Sequence, residues 1–151
     1  MDCTVRPAAP GDAGAIAALE AACFSCPRTG EQIGAHLQDF LVAEAGEETF
    51  LGYADMLTVL DEGYMGNIAV SAAHRREGVG RALLAALLER GREQRLTFLT
   101  LEVRQSNAAA RALYAQQGFS EVGRRKKYYE KPAEDAILMT YYYEEKRQTT
   151  C

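Results

Sequence analysis

Apolar and polar positions along this chain follow two periods, one typical of strands and one typical of helices. The period of two predicts strands at Thr4–Ala8, Leu41–Glu44, Thr49–Leu60, Tyr64–Val70, Phe98–Val103, Glu121–Tyr129 and Ala136–Tyr142. The helical period predicts helices from Asp12 as cap to near Ala22, from the Phe24–Gly34 loop to near Asp39, from Val79 to about Arg92, and from a Ser106 or Asn107 cap to Gln117. The order β-α-α-β-β-β-α-β-α-β-β predicts an α/β fold of mixed α+β type, a central mixed sheet of about six or seven strands flanked by about four helices.

The stretch Tyr64–Ala82 carries the strongest chemical signal. Its strand is followed by a polar turn, Ser71–Glu77, and then by Gly78 and Gly80 at the start of a helix. The first turn of a helix has unpaired N–H groups and a partial positive charge, and glycine lets a phosphate approach the backbone closely. Three nearby side chains add positive charge: Arg75, Arg76 and Arg81. We therefore expect a pyrophosphate to bind here.

Two common phosphate-binding motifs do not fit this stretch. The dinucleotide pattern G-x-G-x-x-G needs a third glycine where the chain has Leu83. The phosphate-loop pattern ends in Gly-Lys-Ser/Thr, which is absent. What remains is the spacing Arg75-x-x-Gly78-x-Gly80 between a strand and a helix.

Composition indicates one ordinary globular domain spanning residues 1–151, with 48% hydrophobic and 25% charged residues. There is no apolar run of about 20 residues and no basic-then-apolar leader, so we expect a cytoplasmic protein that does not enter a membrane. The net charge of −4 argues against broad attraction to nucleic acid and is compatible with cationic substrates. Residues 144–151 are predicted to be a frayed tail.

The four cysteines include one pair with redox or metal spacing, Cys23 and Cys26. A thioredoxin-like site places its first cysteine at a helix N-terminus, whereas Cys23 falls at a predicted C-terminus. A zinc site would need two more ligands, and neither His36 nor His74 has a suitable spacing. Ordinary reduced thiols are therefore expected, with no metal.

Two residues in the second half have the chemistry of an acid and a base. Glu102 stands alone in an apolar strand that we expect to be central, so its pKa should be raised or it should border a water-filled cleft. The alternative is a salt-bridged residue at the strand end, for which Arg104 is the suggested partner. Tyr114 lies on the following helix, where a core position is the alternative to a chemical one.

The glycine–arginine spacing, preceded by Asn67-Ile68-Ala69-Val70, resembles the acetyl-CoA signature of the GCN5-related N-acetyltransferases (GNAT). A second run, Leu101–Tyr114 followed by Gly118-Phe119, resembles the RimI branch, which acetylates the N-terminal alanine of a small-subunit ribosomal protein. The resemblance covers about residues 3–140. It implies the GNAT fold and acetyl-CoA as co-substrate.

The resemblance also implies a role for individual residues. Backbone groups of Ile68 and Val70 would bond the pantetheine amides, with Ala69 between them in the same cofactor-binding segment. Asn107 would hold the pantetheine arm. Glu102 would serve as general base, directly or through water, and Tyr114 would protonate the departing thiolate. The pyrophosphate would be cradled by Arg75, Arg76, Gly78, Val79, Gly80, Arg81 and Ala82. No metal and no covalent acyl-enzyme is required.

The acceptor is less well defined by the sequence. The family usually has a Pro-Trp pair in the loop after the first helix, but here Pro27 is followed by Arg28 and the chain has no tryptophan. Phe24, Pro27 and Tyr128 are candidate acceptor residues. An α-amine near pKa 8 takes about 1.4 kcal/mol to deprotonate at pH 7 and a lysine near 10.4 about 4.6, which favours a peptide N-terminus.

Several alternatives stay open at this stage. A small-molecule amine such as a polyamine or aminoglycoside, or a lysine side chain, could be the acceptor. Outside catalysis the chain could be a CoA-binding module, although such a module needs neither Glu102 nor Tyr114. The basic stretch Arg124–Tyr129 could bind nucleic acid, but a solvated strand end is favoured. A monomer or weak dimer is expected.

Overall fold

In this computed structural model, which describes residues 3–46, 48–130 and 132–143, seven strands and four α-helices form the fold. The strands are β1 Thr4–Pro7, β2 Phe40–Ala45, β3 Thr49–Val59, β4 Glu62–Val70, β5 Phe98–Arg104, β6 Ser120–Tyr129 and β7 Glu134–Tyr142. The α-helices are α1 Ala13–Cys23, α2 Gly30–Gly34, α3 Val79–Glu93 and α4 Ala108–Gln116. The predicted order of elements is confirmed.

The strands belong to one mixed sheet in the order β1-β2-β3-β4-β5-β7-β6. β4 and β5 run parallel, with Tyr64 opposite Thr100, whereas β5 and β7 are antiparallel. The prediction of a mixed α/β fold with six or seven strands and about four helices is therefore confirmed. The strand that carries Glu102 is an inner strand of the sheet, as predicted.

The described residues cluster into two compact units. The first comprises the chain up to Met56 together with Gly66–Leu87, and the second comprises Leu57–Met65 together with the residues from Leu88 onward. That the chain forms a single domain stays a prediction.

The first unit has an apolar core between its helices and its strands. Ile16 of α1 and Ile33 of α2 are buried together with four strand residues, Phe40, Val42, Tyr53 and Ala69. In the helices these positions lie on one inward face, whereas β2 and β3 are buried on both faces, from Phe40 to Ala43 and from Leu51 to Met56. Short helices such as α2 gain most of their stability from this burial, since they contribute few hydrogen bonds of their own.

The second unit buries alternate residues of β5. Leu99, Leu101 and Val103 are buried, whereas Glu102 lies on the opposite, half-buried face with Phe98 and Thr100. This alternation is the one predicted from the sequence. It places the Glu102 carboxylate on the less buried face of an inner strand.

The structure differs from the sequence prediction at several boundaries. The second helix, α2, lies at Gly30–Gly34 within the predicted loop, and only a short 3-10 turn, Leu37–Asp39, reaches the predicted end near Asp39. Asp12 precedes α1, but its carboxylate binds Arg6 and the Ala9 N–H instead of capping the helix. β4 begins at Glu62 and not at Tyr64, because Leu60, with φ +56°, reverses the chain within a shorter turn. These differences depend on local contacts that periodicity does not encode.

No helix in the described part of the chain is long and apolar enough to cross a membrane. The predicted frayed tail at 144–151 lies outside the described residues.

Candidate functional site

The loop that joins β4 to α3 has the backbone geometry of an anion site. Arg76 and Gly78 have positive φ angles of +64° and +89°, and α3 begins directly after them. The first helical hydrogen bond runs from the Ala82 N–H to the Gly78 carbonyl, so the three preceding N–H groups have no acceptor within the helix. The geometry fits the predicted pyrophosphate cradle, which stays a prediction.

The three arginines of this loop differ in how they are engaged. Arg75 donates from Nε to the Val70 carbonyl over 3.1 Å and from Nη2 to Cys23 Sγ over 3.5 Å. Arg76 and Arg81 are exposed. Arg75 therefore ties the loop to the end of β4, and the guanidinium groups of Arg76 and Arg81 extend into solvent.

The end of β4 is packed against β3 with little space. A Cβ atom at Gly52 would lie 2.4 Å from the Ala69 carbonyl oxygen, so only glycine fits opposite this peptide. Ala69 is buried, whereas Ile68 and Val70 are half-buried. The segment Ile68–Val70, which is predicted to bind pantetheine, therefore packs directly against the backbone of β3.

The Cys23-Phe-Ser-Cys26 pair contains free thiols. Cys23 is the last residue of α1, as predicted, and its sulfur accepts the Arg75 hydrogen bond. Among residues 3–46, 48–130 and 132–143, no group of three or more potential ligands is arranged to hold a metal ion. The absence of a metal requirement stays a prediction.

Glu102 has two polar partners from β6. Its Oε2 lies 3.3 Å from Arg125 Nε, and its Oε1 accepts a hydrogen bond of 3.3 Å from Tyr128. The side chain is 31% exposed. Glu102 is therefore salt-bridged, as the alternative interpretation held, but its partner is Arg125 and not Arg104, which binds Glu134.

Tyr114 is buried on α4 and packs against the Phe119 ring, with 5.7 Å between ring centroids. Burial, and to a lesser extent Tyr129, raises the pKa of Tyr114 well above its usual value. Burial and then Glu102 raise the pKa of Tyr129 to about 12. Tyr129, which the sequence did not single out, is thus an electrostatic neighbour of both predicted catalytic residues.

Asn107 is the N-cap of α4, which decides between the two predicted caps. Its Oδ1 accepts a hydrogen bond of 3.1 Å from the Ala110 N–H. The backbone N–H of Ser106 donates to Glu134 instead. The contact of Asn107 with pantetheine stays a prediction.

The candidate acceptor residues lie in different settings. Phe24 is half-buried against the core of the first unit, and Pro27 is exposed. Tyr128 in the second unit is 47% exposed, with the Arg125 guanidinium 5.6 Å from its ring centroid.

The sequence analysis missed a buried charged cluster at the residue after Pro27. The guanidinium of Arg28 binds the carboxylates of Glu20 and Asp55 with Nη–O distances of 2.7 and 3.0 Å. Tyr53 donates to Glu20 over 2.6 Å, and Asn67 donates to both carboxylates. Each carboxylate is the lone charge in an apolar helix or strand, and that was the available signal.

Hydrogen bonding keeps Glu20 ionised despite its burial. Burial acts to raise the pKa of Glu20, but hydrogen bonds from Arg28 and Tyr53 outweigh it and lower the pKa to about 2. Burial and the Glu20 hydrogen bond raise the pKa of Tyr53 far above its usual value. The Arg28 guanidinium also lies 5.1 Å from the Phe40 ring centroid.

Comparison with known families decides the classification. The model described as "Acetyltransferase (GNAT) family" matches residues 15–119. The chain belongs to the GNAT acetyltransferase family. The matched range includes the glycine–arginine loop, Glu102 and Tyr114, so the GNAT resemblance seen in the sequence is confirmed.

Individual GNAT proteins show the same relationship. The chain is 46% identical over 89 residues to the [ribosomal protein bS18]-alanine N-acetyltransferase of Escherichia coli K12, an alignment that covers 58% of this chain and 60% of that protein. It is 32% identical over 126 residues to a putative enzyme of the same name from Bacillus subtilis, covering 80% and 83%. The crystal structure of the E. coli ribosomal-protein-S18-alanine N-acetyltransferase superposes with a TM-score of 0.85 at 32% identity, covering 93% and 94%. The predicted similarity to the RimI branch is confirmed.

Proposed function

We propose that this GNAT protein is an acetyl-CoA-dependent N-acetyltransferase that acetylates the N-terminal alanine of a small-subunit ribosomal protein. The observation that carries the proposal is the 32% identity, across 93% of the chain, to a solved ribosomal-protein-S18-alanine N-acetyltransferase. The acetyl-CoA motif, which lies in the part of the chain that the GNAT model matches, supports acetyl-CoA as the donor.

Acetyl-CoA would be held by the residues of the first unit predicted for it. The free N–H groups at the start of α3 and the guanidinium groups of Arg76 and Arg81 would bind the pyrophosphate. The backbone of Ile68–Val70 would bond the pantetheine amides in the manner of an added strand. Acetyl-CoA supplies the thioester carbon that the amine attacks.

Glu102 and Tyr114 would carry the proton transfers. As the amine nitrogen bonds to the thioester carbon and the C–S bond breaks, Glu102 takes the proton of the amine, directly or through water. Tyr114 holds its proton at neutral pH, because burial raises its pKa, and so it can hydrogen-bond or donate to the thiolate. An α-amine needs less deprotonation energy than a lysine, which favours a peptide N-terminus.

A second candidate acceptor is a small-molecule amine such as a polyamine or an aminoglycoside. The observation in its favour is Arg28, which stands where the family usually has tryptophan beside the acceptor. A lysine side chain is the third candidate. The cytoplasmic location, the absence of nucleic-acid binding and a monomeric or weakly dimeric state remain predictions.

The test is the release of CoA from acetyl-CoA with a panel of acceptors: an alanine-starting ribosomal peptide, the same peptide with a blocked N-terminus, polyamines and aminoglycosides. The proposal expects turnover on the free peptide, with the acetyl group located on its α-amine by mass spectrometry. The blocked peptide is the control for acetylation of lysine side chains. Turnover confined to small amines, or undiminished on the blocked peptide, would overturn the proposed acceptor.

A further inference from the structure

Arg28 donates hydrogen bonds to two buried carboxylates from both its main chain and its side chain. Its backbone N–H and its Nε both donate to Oε2 of Glu20, and its Nη2 donates to Oε1 of the same carboxylate. Its Nη1 and Nη2 each donate to one oxygen of Asp55. Five hydrogen bonds thus fix both the main chain and the side chain of the residue that follows Pro27.

The same two carboxylates also hold Asn67, the residue that precedes the predicted pantetheine-binding segment Ile68–Val70. The backbone N–H of Asn67 donates to Asp55 over 3.0 Å, and its side-chain nitrogen donates to Glu20 over 3.2 Å. Each carboxylate therefore bridges Arg28 and Asn67. The loop that carries Pro27 and the strand segment that starts at Asn67 share one set of anchors within the first unit.

Stability alone does not account for such a cluster. Glu20 is 1% exposed and Asp55 5% exposed, and buried ion pairs of this kind are often replaced by apolar residues without loss of stability. The cluster also leaves no room for change, because a Cβ at Gly66 would lie 2.2 Å from an Asp55 oxygen. Two carboxylates and one guanidinium give it a formal charge of −1. Its distinctive property is geometric, since planar bidentate contacts fix direction as well as distance.

Resting on the proposed function, we propose that Arg28 is a positioning residue for the amine acceptor: clamped between Glu20 and Asp55, it fixes the loop Phe24–Thr29 against the strand segment at Asn67. Arg28 acts through the backbone of this loop. Its effect is expected in the binding of the acceptor, because Phe24 and Pro27 are the candidate acceptor residues on the same loop.

Two variants separate positioning from folding. Arg28→Lys keeps the positive charge but loses the fork that spans both carboxylates. The triple variant Glu20→Gln, Asp55→Asn, Arg28→Met removes all three charges together and leaves no buried carboxylate without a partner. We expect the thermal midpoint of the triple variant to lie within a few degrees of the wild-type midpoint. Arg28→Ala would not be informative, because it leaves two carboxylates uncompensated.

The readout is steady-state kinetics with whichever amine the wild-type protein acetylates. In both variants we expect the KM for the amine to rise about tenfold or more, with kcat and the KM for acetyl-CoA within about threefold of wild type. If the cluster served stability alone, a variant that folds as stably as the wild type would keep the wild-type KM for the amine. An amine KM within about twofold of wild type in a folded variant would overturn the proposal.

A second readout does not depend on activity. Hydrogen exchange of the amides in residues 24–29 should be about tenfold faster in Arg28→Lys, whereas exchange in β2 should not change. Unchanged exchange in this loop would also overturn the proposal. The proposed function is judged separately, by whether the wild-type protein prefers the ribosomal peptide, so either inference can fail without the other.

Discussion

Tyr128 on β6 donates a hydrogen bond to the carboxylate of Glu102 on β5, with 3.3 Å between Oη and Oε1. Arg125 approaches the other oxygen of the same carboxylate at the same distance, 3.3 Å. The chain is bent between Arg125 and Tyr129, where the pairing of β6 with β7 shifts register and Lys127 has a φ of +53°. A candidate acceptor residue therefore contacts the predicted general base directly, and an irregular strand makes that contact possible.

The contact predicts that Tyr128→Phe lowers kcat about three- to tenfold, because the loss of one hydrogen bond leaves the carboxylate less well oriented. The KM for acetyl-CoA should not change. Steady-state kinetics with both substrates varied measures the effect. Tyr142→Phe is the matched control, since its ring is also exposed on a strand and its contact with Phe98 survives the change. Equal kcat values in the two variants would contradict the prediction.

The proposed mechanism predicts that Glu102→Gln and Tyr114→Phe each lower kcat about 100-fold or more. The dissociation constant of acetyl-CoA should stay within a few-fold, because neither residue belongs to the predicted CoA site. Equilibrium binding and single-turnover kinetics would test the two statements separately. Near-wild-type turnover in either variant would remove that residue from the mechanism.

Asn107 is expected to have two separable roles, one for each atom of its amide group. Asn107→Asp keeps the oxygen that caps α4, so the thermal midpoint should change little, but it loses the donor predicted for pantetheine. The dissociation constant of acetyl-CoA should then rise about tenfold, the size expected for one hydrogen bond. Asn107→Ala should also lower stability by about 1 kcal/mol through loss of the cap. If Asn107→Asp binds acetyl-CoA as tightly as the wild type, the amide is a cap and nothing more.

Stability should fall in acid as Glu20 becomes protonated. Its pKa in the folded protein is about 2, below the ordinary value of 4.5, so its contribution is complete above about pH 4.5 and is lost as the pH falls towards 2. The difference corresponds to about 3 kcal/mol. Glu20→Gln should therefore be less stable at neutral pH, and its deficit should shrink across this window. Denaturant unfolding at several pH values measures it, and a deficit that does not depend on pH would contradict the assignment.

Replacing Gly66 and Gly14 by alanine should change the stability of the protein in opposite directions. Gly66→Ala places a methyl group 2.2 Å from Asp55, so we expect a loss of about 3 kcal/mol from overpacking and from a disturbed buried ion pair. Gly14→Ala, on α1 with open space around it, should stabilise the protein by about 0.5–1 kcal/mol. Chemical denaturation of both variants tests this pair. A stable Gly66→Ala protein would show that the cluster can rearrange.

The order of the elements, the buried face of β5 and the loop before α3 were all predictable from the sequence. Each depends on residues close together in the chain: a period of two or 3.6, a pair of glycines, a cap. The acetyl-CoA motif is of the same kind, because its glycines and arginines lie within one turn and the first turn of one helix. Such signals survive in the sequence because the backbone itself imposes them.

The partners of the charged groups were decided only by the tertiary structure. Glu102 lies two residues from Arg104 but binds Arg125, because Arg104 is taken by Glu134 and β6 brings Arg125 to the open face of β5. Glu20 is joined to Asn67, 47 residues away, through the fold alone. A buried charge needs a partner, but the sequence does not say which one, since the partner is chosen by which strands pair and in what register.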